Sequence, residues 1–231
     1  MLADHTRAPG ERTLGEWIDL LGELGFAEIR TGALAPSATG VFDRRGFRRI
    51  QELVLLKREL RPSRRGVDTS TNEPLHHAMR PIRSRRQLAT AARIDAAAFA
   101  DGWHLDQTGI VDASNATPQS RVRLAVTSDD EPAGYMVTGR NGTAGFVQRL
   151  AVDPRFEGRG VARALLNDGV EWLARRGVSE VLVNTDLDNR RALDLYTRHG
   201  FHELPERLSV LSLMLSDDEG SGARSSGAEE R

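Results

Sequence analysis

Apolar residues along this chain recur with two rhythms, about 3.6 residues in some stretches and two in others, and the switches between them mark out elements. Near the start, Leu14, Trp17, Ile18, Leu21 and Leu24 fall on one side of a helix and form a stripe that must be covered. In "ELVLLKREL" (52–60), Val54 and Leu56 lie on one face of a strand and Leu53 and Leu55 on the other, so both faces are apolar. "HHAMRPIRS" (76–84) reads as a strand and the Ala-rich "RRQLATAARIDAAAFADGW" (85–103) as a helix, with a weaker helical stretch over about 105–116. Three strands follow, "RVRLAVTSD", "PAGYMVTGR" and "TAGFVQRLAVD". Asn141-Gly142 signals a tight hairpin with both of these residues at its centre, where positive φ is favoured. Val161, Leu165, Leu166, Val170, Leu173 and Ala174 then return to helical spacing. "VSEVLVNT" reads as a buried strand, "DNRRALDLYTRHG" as a short helix ending at Gly200, and "FHELPERLSVLSLML" as a final strand pair. From residue 76 the expected order is β-α-α-β-β-β-α-β-α-β-β.

The same pattern divides the 231 residues into four parts. Residues 1–60 carry a helix-strand-helix-strand pattern behind a polar start. Residues 61–74 are rich in Pro, Ser, Thr and charge and read as a linker. Residues 75–215 are the long patterned block, and 216–231 cannot bury a core and read as a disordered tail. With a formal net charge of -1, and three Trp and two Tyr for base stacking, the chain is a poor nucleic-acid binder. Without cysteine it has no disulfide, no thiolate metal site and no cysteine nucleophile, which suits the cytoplasm. No apolar run reaches the ~18 residues of a membrane helix, and the first residues hold no apolar core of a signal peptide. The one adjacent histidine pair, His76-His77, points to opposite faces of a strand, so no metal site is expected.

Chemistry enters at "VDPRFEGRGVARALL" (152–166). Gly158 and Gly160 follow a strand and open a helix whose first-turn amides lack internal partners. The helix dipole, with Arg155 and Arg159 on either side, favours an anion there, and glycine admits close backbone approach. Neither the dinucleotide fingerprint nor a P-loop fits, because the third glycine and the Gly-Lys-Ser/Thr are missing. "RFEGRG" resembles the Q/R-x-x-G-x-G/A loop of the GNAT superfamily of acetyl-CoA-dependent N-acetyltransferases. "NRRALDLYTRHGF" (189–201) is similar to that family's N-x-x-A-x-x-L-Y-x-x-x-G-F signature. Within the superfamily the segment looks most like the ribosomal-protein N-terminal acetyltransferases and kindred bacterial enzymes.

The resemblance implies an α/β GNAT fold, a mixed and mostly antiparallel sheet flanked by helices. It implies acetyl-CoA as donor, with the pyrophosphate on the amides of Phe156, Glu157, Gly158, Arg159, Gly160, Val161 and Ala162, beside Arg155. Pantetheine would pair like an added strand with Leu150, Ala151 and Val152, where the fourth and fifth strands splay, and the amide of Leu150 or Val152 would polarise the thioester. Asn184 and Asn189 would flank the cofactor arm, Asn189 also as an N-cap. Tyr196 would be the catalytic acid for the departing thiolate. Where the ribosomal enzymes carry a glutamate, this chain has Asn184, which cannot take a proton, and neither can Gln148. Asp186 and Asp188 follow and are equally suited to capping the next helix. Phe99, Asp101, Trp103 and His104 are candidates for the acceptor side. The acceptor is expected to be an amine of a small molecule or a polypeptide N-terminus. No particular oligomeric state follows.

Residues 16–60 echo the end of the main block. "APSATGVFDRRGF" (35–47) aligns without gaps to 189–201, and "QELVLLKREL" to "RLSVLSLML", so the piece looks like a degenerate half-GNAT repeat. Phe42 stands in place of Tyr196 and Ala35 in place of Asn189. That degraded copy beside an intact one favours an enzyme over the rival reading, a non-catalytic acyl-CoA-binding sensor or scaffold.

Overall fold

A computed structural model describes residues 5–60, 77–100 and 102–215. The expected linker 61–74, the tail 216–231 and the residues His76 and Asp101 lie outside the described residues.

The first 60 residues give α1 (Glu11–Glu23), β1 (Glu28–Arg30), α2 (Pro36–Asp43) and β2 (Arg48–Glu59). The long block gives β3 (Ala78–Pro81), α3 (Arg85–Ala98), α4 (Gln107–Asn115), β4 (Gln119–Val126), β5 (Pro132–Asn141) and β6 (Ala144–Val152). A short 3-10 turn at Pro154–Phe156 leads to α5 (Val161–Ala174), β7 (Glu180–Asp186), α6 (Arg190–Arg198) and β8 (His202–Met214). Local chemistry sets the boundaries. The Ser84 hydroxyl accepts from the Gln87 amide at 3.3 Å while Gln87 Oε1 accepts from the Ser84 amide at 3.1 Å, a capping box that starts α3. Gly200, at φ 76, ends the turn after α6.

All eight strands form one mixed sheet in the order β1-β8-β2-β7-β6-β5-β4-β3. β6 and β7 are parallel and every other neighbouring pair is antiparallel. The α/β fold expected from the sequence is the one observed. One core lies beneath α5 and α6, built on Val54, Leu56, Met136, Val147, Leu165, Leu166 and Val183. The opposite face is covered by α3 and α4 over Tyr135, Val137 and Ile110. Further along that face, Leu53, Leu55, Phe146, Leu208 and Val210 pack with Ala33 and Ala35 of the N-terminal segment.

Three expectations need correction. The final strand pair is one strand, β8, and the second strand at that edge is β2, which lies between β7 and β8. Opposite β2, the register passes from Arg207 to Glu203 while only Leu55 separates Val54 from Leu56. The bulge holds Pro205, which has no N–H for the ladder, so the break read from the sequence is a local bulge in a continuous strand. The hairpin between β5 and β6 has Gly142 and Thr143 as its loop, because Asn141 pairs with Ala144. Gly142 alone takes positive φ there, at 57°. The α1 stripe is covered in part: Leu14 is buried against α2 and β8, whereas Trp17 and Leu24 remain exposed. Gly15 is buried beside Leu14, where a Cβ would meet the Arg45 guanidinium.

Candidate active site

The site begins with an irregularity in β6. Pairing with β5 runs from Val137↔Arg149 directly to Thr138↔Val147, so Gln148 is bulged out. Its amide folds over Gly139 and donates to Thr117 Oγ1 at 3.0 Å, in space that any Cβ at 139 would fill. Beyond this point β6 and β7 separate: their parallel pairing runs from Ala144↔Glu180 to Val147↔Val183 and then stops. The gap opens into a cleft of about 1930 Å³ that reaches from the glycine loop to Trp103 and Gln51. A single small ligand occupies roughly 300–1,000 Å³, so the cleft has room for two. The Asp153 amide donates back toward β5, to the Ala133 carbonyl at 2.9 Å. By strand alternation the amides of Leu150 and Val152 face the other way, into the cleft.

The glycine loop holds the geometry an anion needs. Gly158 and Gly160 sit at φ 72 and 78, and Gly160 is the N-cap of α5 with no side chain capping the helix. Asp153 braces the loop from behind, accepting from the Arg155 amide at 3.0 Å, and the His77 Nε2–H donates to the Arg159 carbonyl at 2.9 Å. The helix start leaves its first amides directed at the cleft, a ready nest for phosphate. Of the expected site residues, Leu150, Ala151, Val152, Phe156, Glu157, Gly158, Arg159, Gly160, Val161, Ala162, Asn184, Asn189 and Tyr196 all line this cleft. Arg155 does not. Its guanidinium is bound to the Asp153 carboxylate at 2.8 Å and points to solvent. Hydrogen bonding from Arg155 holds the Asp153 carboxyl below its ordinary range, so the pair is a closed local unit. Glu157 in turn pairs with Arg191 of α6.

Tyr196 lies in α6 and is buried to 5% exposure, packed on Phe201 with ring centroids 5.6 Å apart. Burial pushes its phenol well above the ordinary range, so it enters the cleft protonated and can act as a donor. Its hydroxyl has no hydrogen-bond partner among the described residues. Asn189 caps α6, its Oδ1 accepting from the Ala192 amide at 3.1 Å.

The other end of the cleft contains residues that sequence reasoning missed. Asp95 of α3 is fully buried. It accepts from Arg149 Nε at 2.8 Å and Nη2 at 2.6 Å, from the Tyr135 hydroxyl at 2.5 Å and from the Leu105 amide at 2.5 Å. Arg149 also donates to the Trp103 carbonyl at 2.8 Å and lies on the Phe99 ring at 3.5 Å. This network fixes the wall formed by Phe99 and Trp103, both of which line the cleft; His104 is exposed outside it. An acid on the helix line of Ala91 and Ile94 was the available signal for Asp95. Gln51 of β2 and Thr31, Gly32 and Ala33 complete the wall from the N-terminal segment. Asp186 lines the cleft, whereas Asp188 does not; its amide donates to Asp186 Oδ1 at 2.8 Å. Among the described residues no group of three or more His, Cys, Asp or Glu could hold a metal, and no helix is long and apolar enough to cross a membrane.

Residues 88–201 match the acetyltransferase (GNAT) family. The chain carries an acetyltransferase domain of the GNAT family. It is similar to a mycothiol acetyltransferase of Actinosynnema mirum, 29% identical over 217 residues that cover 87% of this chain and 71% of the relative. A mycothiol acetyltransferase of Kocuria rhizophila is 27% identical over 85% of this chain and 70% of the relative. Among solved structures, a tandem GNAT protein from the clavulanic acid biosynthesis pathway matches with a TM-score of 0.62 at 14% identity. It covers 90% of this chain and 71% of that one. A GCN5-related N-acetyltransferase from Sphaerobacter thermophilus matches with a TM-score of 0.57 at 20% identity, over 87% of this chain and 68% of that one. These two share the GNAT fold. The GNAT family uses acetyl-CoA as its donor.

Proposed function

We propose that the protein transfers the acetyl group of acetyl-CoA to the amine of a small molecule by direct attack within the cleft between β6 and β7. The observation that carries this reading is the separation of these strands beyond Val147 and Val183. It exposes strand amides beside a left-handed glycine loop on one side and a walled chamber on the other. The residues fit the donor. The amides of Gly158, Gly160, Val161 and Ala162 would hold its pyrophosphate, and Leu150 to Val152 its pantetheine arm. Contrary to expectation, the Phe156, Glu157 and Arg159 amides already donate to the carbonyls of Asp153, Pro154 and Phe156. Acetyl-CoA would supply a thioester carbonyl, which the inward amide of Leu150 or Val152 would polarise as charge develops on its oxygen. Tyr196, kept protonated by burial, would donate to the departing sulfur. The Asp95–Arg149 network would hold Phe99 and Trp103 so that the acceptor meets a fixed wall.

A small acceptor is favoured over a polypeptide N-terminus, or a ribosomal protein, by the names of the relatives: both are mycothiol acetyltransferases. The N-terminal residues Thr31 to Ala33 and Gln51 also line that end of the cleft. The test is acetyl-CoA turnover against small amines, amino acids and N-terminal peptides, with product identified by mass. Acetylated small amines are expected. Product from the peptides alone would overturn the small-molecule reading. Acetyl-CoA binding with no acceptor acetylated would favour an acyl-CoA-binding scaffold.

A further inference from the structure

An acetyltransferase must also hold the nitrogen of its acceptor, and neither the glycine loop nor Tyr196 does this. Asp186 ends β7. Its strand neighbours Val181 and Val183 pack with Tyr196 beneath α5 and α6, whereas Leu182 packs on the opposite face with Leu53 and Phe146. By alternation Asn184 and Asp186 share the face of Leu182. The Asp186 carboxylate and the Tyr196 hydroxyl therefore approach one cleft from opposite faces of the sheet. An acyl transfer uses such an arrangement: the amine enters from one side and the sulfur leaves toward the other.

The carboxylate is also held in place. Oδ1 accepts from the Asp188 amide at 2.8 Å and Oδ2 from Gln51 Nε2 at 2.5 Å. A carboxylate has about four acceptor sites, so about two stay open to a ligand. Both of these partners are neutral, and Asp186 makes no ion pair with another described residue. Of the other polar groups on this wall, Arg149 is engaged by Asp95 and Gln148 Nε2 by Thr117.

We propose that Asp186 binds the ammonium form of the acceptor, with Gln51 as its positioning residue, so that the substrate class is a cationic primary amine. This rests on the acetyltransferase reading of the cleft. In this role the carboxylate anchors the amine by charge and hydrogen bonding. Water receives the ammonium proton before attack. Gln51 belongs to β2, so the N-terminal segment takes part in acceptor recognition.

The test uses the full-length protein and the small amine that it acetylates best. Asp186→Asn keeps an acceptor for the Asp188 amide and removes the charge. It should raise KM for the amine at least tenfold, leave acetyl-CoA affinity by calorimetry unchanged and move kcat less than threefold. Gln51→Lys, which places a competing cation on Asp186, should raise KM comparably, and Gln51→Ala should raise it by a smaller factor. Added salt should raise KM for the amine in the parent protein and not in Asp186→Asn. An unchanged KM in Asp186→Asn, or a parallel loss of acetyl-CoA affinity, would overturn the inference. Failure of the parent protein to acetylate any amine would instead remove the acetyltransferase reading, and this inference with it.

Discussion

Asp95→Ala removes the centre of the buried network and should destabilise the protein measurably. Its carboxylate takes four hydrogen bonds, two from Arg149 and one each from Tyr135 and the Leu105 amide, at 2.5–2.8 Å. Four donors fill a carboxylate's acceptor sites, so the substitution strands a guanidinium, a phenol and an amide together. Breaking a buried pair by removing one partner costs about 3–5 kcal/mol. Arg149 keeps the Phe99 ring and the Trp103 carbonyl, and its side chain is 17% exposed, so the lower end applies. In a chain of this length each kcal/mol moves Tm by about 2–4 °C, giving an expected fall of about 6–12 °C at ~3 kcal/mol. The exposed pair of Arg12 with Glu16, at 92% and 59% exposure, serves as control. Glu16→Ala should cost less than about 1 kcal/mol. Calorimetric melts give the comparison, and amide exchange at Leu105 should lose its protection in Asp95→Ala alone. A melting shift no larger than that of Glu16→Ala would refute the reasoning.

Tyr196→Phe keeps the ring packing on Phe201 and loses the hydroxyl. Acetyl-CoA binding should survive while kcat falls about 10²-fold, and full activity would mean that thiolate release needs no protein acid. Gly160→Asp places a carboxylate and a Cβ at φ 78 in the phosphate loop and should weaken acetyl-CoA binding at least tenfold, about 1.4 kcal/mol. Unchanged affinity by calorimetry, with the fold intact, would remove the phosphate from that loop. Deleting residues 1–60 removes both strands beside β8, so the remaining chain should be insoluble or melt far below the parent. An equally stable fragment would show that β8 can pair elsewhere.

Much of the site could be read from the sequence because its parts are local. The glycine loop is a short segment between a strand and a helix, and Asn189, Tyr196 and Gly200 lie within one helix and its ends. What was missed involves residues far apart in the chain. Asp95, Tyr135 and Arg149 meet only when α3 packs on β5 and β6, and no spacing rule links them. Gln51 and Asp186 are 135 positions apart, and Asp186 alone looked like a capping residue. Arg155 shows the reverse case. Its place beside the loop suggested a phosphate ligand, but it does not line the cleft and its guanidinium pairs with the carboxylate two residues before it.

β2 carried a signal of its own position. Val54 and Leu56 are fully buried beneath α5, and Leu53 and Leu55 are buried on the other face. A strand apolar on both faces is a poor edge strand, because an edge strand on one uncovered face would leave one of these pairs in water. The pattern therefore already favoured a central position, with helices on one side and a second apolar layer on the other. β2 pairs with β8 on one side and with β7 on the other, and the contact with β7 did not follow from its similarity to "RLSVLSLML". It follows from burial. β7 needs a partner on the side away from β6, and a single final strand in the long block leaves β2 to supply it. This placement carries Gln51 to the end of β7 where Asp186 stands, so the same requirement that buries the strand also brings the N-terminal segment to the cleft.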